Sequence, residues 1–178
     1  MFAKIRKSAC EEPLAAAALA VALGGMATIL GAWFFQYVLH YQPCPLCLEQ
    51  RVPYYIAIPL SVLAAALARS QPKAARAGLL AIALIMLWGA GLGVYHAGIE
   101  WKLWAGPAEC SGAPGLGSVD DLLNRIQTEH IVRCDAAAWR FLGLSLAGYN
   151  ALIALTLAAT AAAGAKAGRA YGSSSVSQ

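Results

Sequence analysis

Four long stretches of this 178-residue chain contain no Asp, Glu, Lys or Arg. They lie between Glu12 and Glu49, between Arg51 and Arg69, between Arg76 and Glu100, and between Arg140 and Lys166. A helix needs roughly 17 to 25 largely apolar residues to cross a bilayer core. The second stretch, Val52 to Ala68, counts 17 residues and stands at the short limit, and the others clear it. Lipid offers no partner for backbone amides, so such stretches must become helices that satisfy their own hydrogen bonds. The pattern predicts an all-α membrane protein, a bundle of four transmembrane helices over about 14–34, 52–67, 78–97 and 141–163. Only 12% of the residues are charged, half of what a soluble domain carries.

The remaining charges set the orientation. The N-terminus, the second loop and the tail hold Lys4, Arg6, Lys7, Arg69, Lys73, Arg76, Lys166 and Arg169, eight of the 13 basic residues. Cytoplasmic segments of membrane proteins collect Lys and Arg, so both termini belong in the cytoplasm. Loops one and three then share the opposite side by parity. The basic start could also open a signal peptide, but the first apolar run is longer than a signal core and three more follow, which makes it a retained helix. The net charge of +4 forms no Lys/Arg stripe with interleaved aromatics, so nucleic acid is not an expected partner. No charge lies inside a span to mark an ion path, which argues against a transporter. Residues 1–165 read as one membrane domain and 166–178 as a flexible Gly/Ser-rich tail.

The cysteines fall into place on this topology. Cys44, Cys47, Cys110 and Cys134 lie on these two loops, on the oxidising face where disulfides persist, and Cys10 lies on the reducing side. Cys44 and Cys47 form a C-x-x-C at the edge of the second span. The spacing allows a disulfide, a dithiol or half a metal site. A helix starting beside the pair, and Arg51 one turn beyond Cys47, both favour a thiolate. Two pairs on one side suit relayed thiol–disulfide exchange, in which a thiolate attacks a disulfide sulfur. A static disulfide between Cys110 and Cys134 and a four-cysteine zinc site are the competing uses, although the second pair lacks the usual zinc-knuckle spacing.

The run Cys44-Pro45-Leu46-Cys47 followed by Arg51, then Cys110, then Cys134 leading into Trp139-Arg140-Phe141-Leu142-Gly143-Leu144, resembles the disulfide bond formation protein B (DsbB) family. The resemblance covers nearly the whole chain apart from its tails. It implies a thiol:quinone oxidoreductase that reoxidises a periplasmic thioredoxin-fold dithiol oxidase, a DsbA-like protein, and delivers the electrons to ubiquinone or menaquinone in the inner membrane. By that resemblance, Cys110 forms the mixed disulfide with the partner and Cys134 is its mate. Cys134 then exchanges with Cys44, and Cys47 is the thiolate that meets the quinone. Arg51 corresponds to the arginine near the quinone oxygen. A quinone reductase like vitamin K epoxide reductase is the nearest rival enzyme, but in that family the loop pair precedes the C-x-x-C. A non-enzymatic metal-binding tetraspan protein is the rival from another class.

The chain departs from the familiar pattern in a short outer cysteine loop and in the run Tyr95-His96-Ala97-Gly98-Ile99-Glu100-Trp101. His96 and Glu100 stand one turn apart if the third helix persists, and both are candidates to face the quinone. Three further expectations concern local structure. Gly24, Gly25 and Gly31 permit close helix approach, as does the G-x-x-x-G of Gly89 and Gly93. Pro59 kinks the second span. A short helix over 119–128, capped by Ser118, is expected on the membrane surface or against the span ends.

Overall fold

The computed structural model describes residues 13–107, 130–131 and 134–174. The chain is mostly helical: α1 is Pro13–Trp33, α2 Pro45–Glu49, α3 Val52–Leu67, α4 Pro72–Glu100 and α5 Leu146–Ser174. Two-residue strands lie between them, β1 (Tyr41–Gln42), β2 (His130–Ile131), β3 (Arg140–Phe141) and β4 (Leu144–Ser145). Among the described residues three helices, α1 with its extension to Val38, α4, and α5 as far as Gly168, are long and apolar enough to cross a membrane. The short second stretch became α3, of 16 residues. The expected surface helix and Cys110 lie outside the described residues.

Prolines open the helices. Pro45, Pro53 and Pro72 occupy first-turn positions, where the missing N–H costs nothing. Pro59 sits inside α3 without ending it. At the end of α1 the chain winds wider, as a π-helical turn over Phe34–Val38. Such turns often occur at functional sites. Helix α4 runs past the expected Ala97 to Glu100 and closes with a Schellman cap. Leu103 N donates to Gly98 O (2.9 Å) and Lys102 N to Ile99 O (3.0 Å), with Lys102 at φ +60°.

The fourth apolar run begins as a turn rather than a helix. Arg140 pairs with Ser145 and Phe141 with Leu144, so Leu142 and Gly143 form a two-residue hairpin loop. Both have positive φ, +48° and +83°, the signature of a type I′ turn. The helix expected from residue 141 therefore starts at Leu146. At its other end it continues to Ser174, past residue 165 where the sequence places the domain boundary.

Small residues bring the helices together. A Cβ on Gly93 would meet the Ala151 backbone nitrogen at 2.8 Å, and one on Gly89 would meet Pro53 at 3.1 Å. The G-x-x-x-G pair thus faces α5 with one glycine and α3 with the other. Gly24 and Gly25 are equally confined, by Leu157 and Ile58. Gly31 corrects the expectation of close approach. Among the described residues nothing lies within 4 Å of its absent side chain, because it borders a cavity. The main core joins Leu14, Val21, Tyr54, Leu79, Ile82 and Met86 across α1, α3 and α4.

Candidate active site

The two cysteine-bearing segments meet at one end of the bundle. β1, just before the C-x-x-C, pairs in parallel with β2, just before Cys134. Below that bridge a second buried cluster forms from Cys44, Leu46, Ile99 and Cys134, with Cys47 packed against it. Cys134 is fully buried and disulfide-bonded, whereas Cys44 and Cys47 are free. Lys102 adds an exposed tie from the end of α4, reaching the Asp135 carboxylate at 3.1 Å and its carbonyl at 2.8 Å.

The C-x-x-C is built into the start of α2. Cys44 is its N-cap, in extended conformation, and its sulfur accepts the N–H of Cys47 at 3.3 Å. A sulfur in that position faces the positive end of the helix. The two Sγ atoms stand 2.8 Å apart in hydrogen-bond contact, and His96 Nε2 lies 3.8 Å from Cys44 Sγ. The side-chain hydrogen bond from Cys47 draws the Cys44 thiol down to about 5, against the cost of burial and with help from His96. The same hydrogen bond, together with burial, pushes Cys47 far above the ordinary thiol range. The two opposite shifts favour a singly protonated pair at neutral pH, with the proton on Cys47 and the charge on Cys44.

A cavity of about 450 Å³ opens beside the pair. Cys47 lines it, together with Arg51, His96 and Glu100. Its remaining wall is largely apolar, with Phe35, Tyr41, Ala138 and Ile153 among the contributors, and Gly31 and Ala27 leave the room on α1. The π-helical turn carries both Phe35 and Gln36 into this wall. Apolar pockets of this size with a few convergent polar groups are the usual form of small-molecule sites.

The polar groups are tied to one another. Arg51 Nη1 donates to Gln36 Oε1 at 2.7 Å. His96 and Glu100 are both buried, with Nε2 and Oε1 3.9 Å apart, and Glu100 Oε2 has no hydrogen-bond partner among the described residues. Gln50 Nε2 contacts His96 Nδ1 at 2.6 Å and donates to Leu46 O at 3.3 Å. Asn150 Nδ2 donates to Gln50 Oε1 at 2.7 Å, and Tyr54 Oη donates to Asn150 Oδ1 at 2.7 Å.

Of the residues singled out from the sequence, Cys44, Cys47, Arg51, His96 and Glu100 converge here, Cys134 packs beside them, and Cys110 lies outside the described residues. Gln36, Gln50, Tyr54 and Asn150 were missed. One of them carried a usable signal, since Asn150 is the lone amide inside the fourth uncharged run.

A family described as "Disulfide bond formation protein DsbB" matches residues 15–164. The chain belongs to the DsbB family. It is 32% identical over 130 residues to the disulfide bond formation protein B of Marinobacter nauticus, covering 68% of this chain and 73% of that one. It is also 32% identical over 132 residues to the protein of the same name from Aromatoleum aromaticum, covering 71% and 76% of the two chains. An uncharacterized protein of Rickettsia prowazekii is 31% identical over 129 residues, covering 71% and 73%. No solved structure matches. DsbB membership makes this a membrane protein of disulfide bond formation, with the oxidoreductase chemistry that its two cysteine pairs suit.

Proposed function

We propose that this DsbB-family member is a thiol:quinone oxidoreductase of the bacterial inner membrane. It reoxidises a periplasmic DsbA-like dithiol oxidase and passes the electrons through two cysteine pairs to ubiquinone or menaquinone. One observation carries this reading: Cys47 and Arg51 line a single apolar cavity, while Cys44, 2.8 Å from Cys47, packs in one cluster with Cys134. The topology goes with it: four spans with α3 as the short second one, both termini cytoplasmic, the cysteine segments periplasmic, and residues 1–165 as one unit.

The wall suits a quinone head group, which presents a flat apolar ring and two acceptor oxygens. Arg51 supplies donors, the aromatic and aliphatic side chains supply a bed, and the orphaned Glu100 oxygen supplies a partner for a hydroxyl. When bound, the quinone takes up two electrons and two protons.

The cysteines account for those electrons by exchange. A partner thiolate attacks Cys110 of a Cys110–Cys134 disulfide and releases Cys134. The Cys134 thiolate attacks Cys44 of the Cys44–Cys47 disulfide and releases Cys47. The partner's second thiol then displaces Cys110, which attacks Cys134 and frees Cys44. The partner leaves oxidised and the inner pair is left as a dithiol. Disulfide-bonded Cys134 beside free Cys44 and Cys47 has the form of that state. Reoxidation re-forms the Cys44–Cys47 bond and yields two electrons and the Cys47 proton. The second proton comes from the surroundings, because Cys44 is already ionised. Arg51 stabilises negative charge developing on the acceptor oxygen.

The test is quinone reduction, followed optically, by purified protein with a reduced thioredoxin-fold dithiol protein. Turnover in the wild type that is lost in Cys47→Ser and in Cys110→Ser supports the relay. A metal module is the second reading, because ligand atoms of Cys44, Cys47 and His96 lie within 4.8 Å of one another. No turnover with either quinone, together with stoichiometric zinc on the reduced protein, would replace the enzyme reading with that one.

A further inference from the structure

The Gln50 amide is oriented by a group that cannot change its role. Leu46 O is a carbonyl and can only accept, so the Gln50 atom 3.3 Å from it is the nitrogen. A flipped amide would set two buried acceptors against each other, which is costly away from water. The opposite side of Gln50 agrees, since its oxygen accepts from Asn150 Nδ2, and Asn150 in turn accepts from Tyr54 Oη. The same Gln50 nitrogen lies 2.6 Å from His96 Nδ1. A donor so close requires a lone pair on Nδ1, which leaves the ring proton of a neutral imidazole on Nε2.

We propose that Gln50, oriented by Leu46 and Asn150, is a positioning residue that holds His96 neutral with its proton on Nε2, so that the ring is a fixed hydrogen-bond donor to the Cys44 sulfur and not a proton carrier. A charged ring would need a proton on Nδ1, facing the Gln50 donor. The groups that face the ring are Cys44 at 3.8 Å and Glu100 at 3.9 Å from Nε2, with Cys47 and Arg51 lining the same cavity. Both near neighbours of Nε2 are acceptors, as a proton there requires. The arrangement also disfavours a metal on the Cys44, Cys47 and His96 triad. Coordination through Nε2 moves the ring proton to Nδ1, again against a donor, whereas metal-bound histidines normally donate from the second nitrogen. For turnover, the proposal rests on the thiol:quinone reading, with proton transfer then assigned to Glu100 and not to His96.

The experiment is nitrogen NMR of the full-length reduced protein in lipid discs with labelled histidine, the His96 signals being assigned by their loss in His96→Asn. The expected wild-type pattern at neutral pH is a neutral ring, protonated on Nε2 and bare on Nδ1. A ring protonated on Nδ1, alone or together with Nε2, overturns the proposal whatever the variants do. In Gln50→Leu, and in Asn150→Leu as a milder change, His96 should gain protonation at Nδ1, and a His96 signal unchanged in both overturns it. The thiolate absorbance of Cys44 is the second readout. His96→Phe should shift its appearance upward by about one pH unit, the effect of removing a hydrogen bond to a charged group, and no shift overturns the donor role. Neither readout requires quinone or partner, so failure of the enzyme reading and failure of this proposal are separable.

Discussion

The Arg51 guanidinium donates to Gln36 Oε1 at 2.7 Å, joining the start of α3 to the π-helical turn that ends α1. One amide thereby holds the cavity's cation in place, leaving the other guanidinium donors available for an acceptor in the same space. Arg51→Leu should raise the KM for quinone about 10-fold or more, the loss of one charge-assisted hydrogen bond. Arg51→Lys should fall between, because a point charge cannot serve Gln36 and a second acceptor with a planar fork. Steady-state kinetics at varied quinone concentration decide it, and a KM unchanged in Arg51→Leu removes Arg51 from the binding site.

The ionisation of the inner pair predicts its chemistry with pH. The folded value for Cys44, about 5, lies below that of an ordinary thiol, so Cys44 loses its proton as pH rises through about 5 and is thiolate at neutrality. Alkylation of the reduced protein at Cys44 should rise with that midpoint and then stay level through neutral pH. Cys47→Ala removes the largest cause of the shift and should move the midpoint upward. Cys44→Ala should act in the opposite sense on Cys47, because the hydrogen bond to Cys44 is the largest cause of its raised value. Mass spectrometry of the alkylated residues separates the two sites.

Glu100 predicts a separation of stability from turnover. Its Oε2 is buried without a hydrogen-bond partner among the described residues, an arrangement that costs folding free energy. Glu100→Gln keeps the shape and removes the ionisable oxygen. Thermal stability should hold or rise while kcat for quinone reduction falls by about 100-fold, the low end for loss of a positioned acid or base. Equal kcat in the variant would exclude Glu100 from proton transfer.

Much of this arrangement was legible in the sequence, and the parts that were not share a physical reason. Charge-free runs marked the long helices, because that signal is local, but the helix expected just after the C-x-x-C begins inside the motif, at Pro45. The one-turn spacing of His96 and Glu100 also survived, since α4 does run through both. The start of α5 was not legible. Phe141, Leu142 and Leu144 are apolar in either state, and hydropathy does not report that Leu142 has positive φ. The contacts that join Asn150, Gln50 and His96 were hidden for another reason. Gln50 meets His96 from 46 positions away and Asn150 meets Gln50 from 100, so their roles exist only in the packed bundle. Gly31 shows the same limit in reverse, its residue type being shared with Gly93 while its surroundings are empty.

Gly93 offers the sharpest test of the packing itself. A side chain there would meet the nitrogen, Cα and Cβ of Ala151 at 2.8 to 3.0 Å, and the first two are backbone atoms that cannot rotate away. Gly31, with nothing within 4 Å, is the internal control on the neighbouring helix. Gly93→Val should therefore push α4 from α5 and cost about 2 kcal/mol, as overpacking of a close contact does. Asn150 lies next to Ala151, so the displacement should also loosen the Asn150–Gln50 contact and slow turnover. Gly31→Val should leave the melting temperature nearly unchanged while filling part of the cavity, raising the KM for quinone instead. Thermal unfolding and quinone kinetics on the two variants give opposite expected patterns. Equal destabilisation by both would mean that the gap beside Gly31 is closed in the folded protein.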